Sequence, residues 1–189
     1  RLSGFENVNI DLINGIPLQT VESYRRTLKN ISLLRPEHLS VYNLIVEPGT
    51  KFFRLQEEGK LPLPTEEELL HMDQLTLEWT EKMGMKRYEI SNYAKEGFAS
   101  IHNYNYWSDV DYLGFGLGAS SYFQNCRWKN VSSFPRYMEV PFSNKEESNT
   151  EQLLTEERHS LSKEEQMEEF FILGLRRTEG ISEMDFVRK

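Results

Sequence analysis

Asn7-Val8-Asn9-Ile10-Asp11-Leu12-Ile13-Asn14-Gly15-Ile16-Pro17 decides the fold of this chain. Val8, Ile10 and Leu12 share one face of an extended segment and Asn9, Asp11 and Ile13 the other, the period-two pattern of a strand. Gly15 and Pro17 then break it. Thr20 is placed to cap a helix whose apolar residues Val21, Tyr24, Leu28, Ile31 and Leu34 recur every three or four positions, with Pro36 closing it. A second strand is predicted from Leu39 to Val46. Strand, amphipathic helix and strand joined by short loops form a βαβ unit, with a right-handed crossover and a parallel sheet. The fold class is therefore α/β.

The first strand departs from the usual parallel pattern. Parallel strands covered on both faces read as near-continuous apolar runs, and Asn9 and Asp11 interrupt this one. Either both side chains point into a barrel interior or cleft, where a carboxylate needs a ligand or a partner, or the strand lies at an edge with one wet face.

Further along, Leu61-Pro62-Leu63-Pro64 runs extended into a second helix. Thr65 and Glu68 are spaced as a capping box, and Leu69, Met72, Leu75, Trp79 and Met83 form a packing stripe that ends at Gly84. A strand is predicted from Arg87 to Asn92. Residues 142–160 turn polar and acidic and are expected to be a linker. Ser162 and Glu165 then repeat the capping-box spacing ahead of Met167, Phe170, Phe171 and Leu175, a helix stopped at Gly180. The predicted organisation is thus 1–141, an acidic linker over 142–160, and a helical segment over 161–189.

Charge and cysteine use narrow the chemistry. A formal net charge of −8 with scattered basic residues offers no track for phosphates, so no nucleic-acid partner is expected. No apolar run approaches the roughly 20 residues of a membrane span, and the chain is expected to be cytoplasmic rather than an integral membrane protein. Cys126 is the only cysteine in the sequence, so neither a disulfide framework nor a cysteine-ligated metal site can be built from this chain. His38, His71, His102 and His159 lack metal-ligand spacing, and no metal site is expected.

Between Tyr88 and Tyr122 lies the segment richest in chemistry. Tyr88-Glu89-Ile90-Ser91-Asn92-Tyr93-Ala94 precedes His102-Asn103-Tyr104-Asn105-Tyr106-Trp107, and Gly114, Gly116 and Gly118 follow. A histidine among aromatic rings beside a glycine-rich turn suits a flat ligand, a porphyrin or a nucleoside. Taken alone, an isolated loop histidine is more often a surface residue, and the glycines equally suit tight turns at strand ends.

These blocks, with Asn9 to Thr20, His38 to Asn43, Glu47-Pro48-Gly49-Thr50, Leu173-Gly174-Leu175-Arg176 and Thr178-Glu179-Gly180, resemble the radical S-adenosylmethionine family of oxygen-independent coproporphyrinogen III oxidases and their heme chaperone relatives. The resemblance is in order along nearly the whole chain. It implies the C-terminal half of an open (β/α)6 barrel, followed by the start of a small helical C-terminal domain. It also implies a [4Fe–4S] cluster on a three-cysteine loop that does not occur in this sequence, so the chain by itself is expected to be inactive in radical chemistry.

Carried over by position, the resemblance gives Asp11 the role of a strand-end aspartate contacting S-adenosylmethionine. It places Ile45 where the next strand meets the adenine. His102, in His-Asn-x-x-Tyr-Trp, matches the heme chaperone branch; imidazole is a natural axial ligand of heme iron, and Tyr104, Tyr106 and Trp107 are candidates to cover the macrocycle. Leu117 and Ser120 depart from the Pro and His common in relatives. Two activities follow from the resemblance: heme binding and transfer to respiratory acceptors, or oxidative decarboxylation of coproporphyrinogen III in porphyrin biosynthesis.

Overall fold

The computed structural model describes residues 3–139 and 154–187. Two compact units divide the chain, one formed by residues 1–104 with 177–179, the other by 105–176 with 180–189.

The first unit is built on a four-stranded sheet in the order β1-β2-β4-β3, from β1 (Asn9–Asn14), β2 (His38–Asn43), β3 (Lys86–Arg87) and β4 (Asn92–Ala94). β1 and β2 run parallel, with Asp11 opposite Ser40 and Leu12 opposite Val41. Helix α1 (Val21–Leu34) connects them, closing the βαβ unit read from the sequence. Thr20 caps it as expected, but its capping-box partner is Ser23, and the helix ends through Arg35 in the left-handed region at φ 52°. Helix α2 (Lys51–Glu57), capped by Thr50, occupies a stretch to which the sequence pattern assigned no element. Helix α3 (Glu66–Lys82) starts at the Thr65–Glu68 capping box.

Two apolar clusters meet at Leu12. Ile31, Leu39, Val41, Met85 and Tyr93 pack with Ile10, Leu12 and Met83 against the sheet. Tyr24, Leu28, Met72 and Leu75 pack with Leu12, Val21 and Trp79 between α1 and α3. The buried Tyr24 hydroxyl is satisfied by Thr76 Oγ1 at 2.7 Å. Burial pushes its pKa up to about 12, because a phenolate would lose its hydration there.

The continuous strand expected from Arg87 to Asn92 is divided. Glu89, fully buried, turns its carboxylate back so that Oε1 accepts from Ser91 N at 2.8 Å and from Asn92 Nδ2 at 2.5 Å. That local satisfaction competes with ladder pairing and separates β3 from β4. β4 pairs antiparallel with both β2 and β3, so only the β1–β2 pair keeps the parallel geometry foreseen. Residues 177–179 return to this unit: Glu89 bridges Arg177, and Thr178 N donates to Tyr88 O at 3.0 Å.

In the second unit β5 (Ser120–Phe123), β6 (Cys126–Asn130) and β7 (Thr155–Ser160) form an antiparallel sheet in that order. Gln124 and Asn125 both adopt positive φ, the hairpin turn whose twist suits antiparallel strands. β7 falls within the stretch expected to be a polar linker; the remainder of that stretch, 142–153, lies outside the described residues. Helix α4 (Ile101–Trp107) begins in the first unit and ends in the second, and α5 (Phe134–Glu139), α6 (Lys163–Gly174) and α7 (Glu183–Val187) complete the described elements. Ser162 and Glu165 form the capping box of α6.

Gly114 approaches the backbone closely. A Cβ there would sit 2.2 Å from Ser120 O, while its N–H donates to Ser121 Oγ at 2.9 Å and Asn130 Nδ2 donates to its carbonyl at 3.3 Å. What this glycine admits is the chain's own strand β5. Gly114→Ala should cost about 1–3 kcal/mol of stability through overpacking. Leu28→Ala, opening a cavity at a fully buried side chain, should cost about 2–5 kcal/mol. Urea unfolding curves check both, and an unchanged midpoint in either variant contradicts the packing described.

Candidate functional site

Because side chains alternate along a strand, the β1–β2 pair that sends Ile10, Leu12, Leu39 and Val41 into the core must send Asn9, Asp11, His38, Ser40 and Tyr42 to the opposite face. There they line a cleft of about 590 Å³, whose other wall is the segment from Gly97 to Asn103 and whose rim includes Asn7. The volume falls in the range of small-molecule sites. All of these residues belong to the first unit.

Two residues singled out from the sequence, Asp11 and His102, line this one cleft. Asp11 is the third residue of β1 rather than its end. His102 lies in the first turn of α4, a helix where the sequence reading had a loop. Ile45 follows β2 at 74 % exposure and is not among the lining residues. Tyr104, Tyr106 and Trp107 are engaged elsewhere: Tyr104 donates to Glu179, Tyr106 packs edge-on to Tyr112 at 4.7 Å, and the Arg176 guanidinium lies 4.2 Å from the Trp107 ring centre. The large aliphatic and phenyl side chains that the cleft does offer are Ile101 and Phe98.

Polar groups on the strand face are joined in a chain of hydrogen bonds. Asn9 Nδ2 donates to Asp11 Oδ1 at 2.7 Å, which turns Asn9 Oδ1 toward His38 Nδ1, 2.6 Å away. Ser40 Oγ also donates to Asn9 Oδ1, at 3.4 Å. His38 Nε2 lies 2.8 Å from Tyr88 Oη, and Ser100 N donates to that same oxygen at 3.1 Å. Since Asn9 Oδ1 only accepts, His38 carries its proton on Nδ1, and Nε2 receives the Tyr88 proton.

The environment supports that assignment. His38 is 4 % exposed, and burial lowers its pKa below the ordinary value against the opposing pull of the Asp11 and Glu89 carboxylates. Burial also raises Tyr88, keeping its hydroxyl proton available. His38 and Tyr88 are the functional-site candidates that the sequence reading missed; the available signal was the period of two, which puts residues 38, 40 and 42 of β2 beside 9 and 11 of β1.

No profile of a protein family matches the chain. Individual proteins do. The heme chaperone HemW of Bacillus subtilis is 39% identical over 195 residues, covering 100% of this chain and 48% of the relative. HemW of Lactococcus lactis is 36% identical, with 100% and 48% covered. Over its whole length the chain is similar to part of the proteins of the radical S-adenosylmethionine family. A bovine mitochondrial relative named as radical S-adenosyl methionine domain-containing protein 1 is 32% identical over 179 residues, with 93% of this chain and 40% of the relative covered. Among solved structures, the coproporphyrinogen III oxidase HemN of Escherichia coli, titled a radical SAM enzyme, superposes with a TM-score of 0.69 at 24% identity, over 93% of this chain and 41% of that one. That likeness shows the fold, a partial radical SAM barrel. The chain spans about half the length of the curated relatives it matches, on their C-terminal portion.

The family's groups fit this chain unequally. Asp11 and the polar strand face suit the hydroxyls and amino group of S-adenosylmethionine, and an accessible imidazole beside Phe98 and Ile101 suits heme. A [4Fe–4S] cluster does not fit: the sequence has one cysteine, and no group of three metal-ligating side chains occurs among the described residues. No helix among the described residues is long and apolar enough to cross a membrane.

Neutral His38 carries a pH signature. In the unfolded chain a histidine protonates near pH 6.5, whereas His38 in the fold holds out to lower pH, so its contribution is present above about 6.5 and is lost as pH falls below that. The urea midpoint of the chain should therefore decline more steeply below about pH 6.5 than that of His38→Gln. Parallel declines would show that His38 is not buried neutral.

Proposed function

We propose that this chain forms the ligand-facing part of a heme chaperone, a protein that binds heme and passes it to acceptors such as those of respiration. Supporting this reading is a cleft whose walls carry both Asp11 and His102. The whole-chain similarity to proteins named heme chaperones points the same way.

In this reading Asp11 accepts hydrogen bonds from S-adenosylmethionine, with Asn9 fixing its carboxylate rotamer. His102 offers its imidazole to heme iron from the first turn of α4, with Phe98 and Ile101 as apolar contacts for the ring edge. Ile45 serves the adenine through its backbone and apolar side chain. S-adenosylmethionine with a cluster supplies radical chemistry in the family; the cluster is assigned to the portion of the family's proteins that this chain does not cover. Residues 161–189 are read as the start of the helical domain.

Binding measurements on the full-length protein test the two roles separately. His102→Ala should weaken the Soret titration with heme by about tenfold or more, and an unchanged titration removes the chaperone reading. Asp11→Ala removes a charged acceptor, whose hydrogen bonds contribute about 1.5–3 kcal/mol, and should weaken S-adenosylmethionine roughly ten- to hundredfold. Wild-type affinity there contradicts its assignment. Turnover of coproporphyrinogen III to protoporphyrinogen IX under anaerobic conditions would instead favour the oxidase.

A further inference from the structure

His38 and Tyr88 sit between the two walls of the cleft. From the strand wall, Asp11 Oδ1 is held by Asn9, and Asn9 by His38. Tyr88 donates to His38 Nε2 on one side and accepts, on the other, from Ser100 N at the start of the opposite wall. Ser100 in turn organises the first turn of α4: its carbonyl accepts from Tyr104 N at 2.9 Å and its hydroxyl from Asn103 N at 3.3 Å. His102 lies within that turn. Every link is a direct hydrogen bond, and the hydroxyl of Tyr88, a residue not among those lining the cleft, joins His38 to Ser100 at the start of the α4 wall.

We propose that His38 and Tyr88 are positioning residues that couple Asp11 to His102, so that occupation of one wall orders the other. The proposal rests on the reading of the cleft as an S-adenosylmethionine and heme site, and deepens it by making the two affinities interdependent. Coupling of this kind is reciprocal: whatever S-adenosylmethionine does to heme affinity, heme does to S-adenosylmethionine affinity. Its physical origin is shared ordering. A carboxylate fixed by ligand holds the Asn9 amide in one orientation, that fixes the His38 tautomer, and the Tyr88 hydroxyl is thereby committed to one direction while it accepts from Ser100.

Tyr88→Phe deletes one oxygen and keeps the ring that packs edge-on to His38 at 5.7 Å, and His38→Leu is the second variant. In the full-length protein, the heme dissociation constant is measured by Soret titration with and without S-adenosylmethionine, and thermal midpoints are recorded alongside. Wild type should show a ratio of about five or more, and Tyr88→Phe a ratio within about twofold of one at a near-native midpoint. A ratio retained in both variants overturns the proposal, even if each affinity falls. Hydrogen exchange of the Ser100–Tyr104 amides, read without ligand, should accelerate in Tyr88→Phe and also in Asp11→Ala, which touches only the far end of the relay. Unchanged exchange in both overturns the coupling whatever the ligands do. Accelerated exchange in a wild-type background that binds no heme upholds the relay and removes the chaperone reading.

Discussion

One parallel strand pair governs the first unit: β1 and β2 bury a single face. With Leu12 opposite Val41 and Ile10 opposite Leu39 packed into the core, the two-residue period leaves no choice about Asn9, Asp11, His38 and Ser40. A slip of one residue would put a carboxylate and an imidazole into the apolar cluster and Leu12 into the cleft, so core packing and site register are the same constraint. The helices reinforce it. Leu12 touches both apolar clusters, and α1 and α3, each fixed at its start by a capping box, close over that side of the sheet.

The opposite face is costly to cover, and the chain covers it with polar partners. Ser40 at 2 % exposure and His38 at 4 % are nearly as inaccessible as the core. Each has a hydrogen-bond partner, which offsets the desolvation cost. Glu89 applies the same solution at the strand break, accepting from Ser91 and Asn92. Of these buried polar groups, Glu89 alone interrupts regular structure, between β3 and β4.

Where local chemistry was strong, the sequence was readable. The alternation of β1, the stripe of α1, and the Thr65–Glu68 and Ser162–Glu165 boxes each name a period or a donor–acceptor pair within four residues, and each has its element. Legibility fell where structure depends on distant partners. The β5–β6 hairpin turns on Gln124-Asn125, not the Asn-Gly or Asp-Gly that normally marks such a turn, and β7 joins β6 from about thirty residues away by pairing alone. α4 escaped notice because a seven-residue helix rich in Tyr and Asn carries little intrinsic helix preference. Asp11 and His102 stood out as residue types in recognisable blocks. His38 and Tyr88 stand in such blocks too but drew no role from them, since what makes them notable is a 2.8 Å contact between positions fifty residues apart.

The identities along that relay are constrained by its ends. Asp11 is a carboxylate and can only accept; the backbone N–H of Ser100 can only donate. A chain of hydrogen bonds between such termini needs every intermediate both to donate and to accept, which excludes lysine, arginine and ionised carboxylates from all three inner positions. An amide, an imidazole and a phenol satisfy the requirement, and they occur in that order as Asn9, His38 and Tyr88. Only neutral imidazole serves, because the protonated ring donates at both nitrogens and leaves the Tyr88 proton without its acceptor. Burial, which lowers the pKa of His38, is therefore a condition of the relay as well as a consequence of the packing around it.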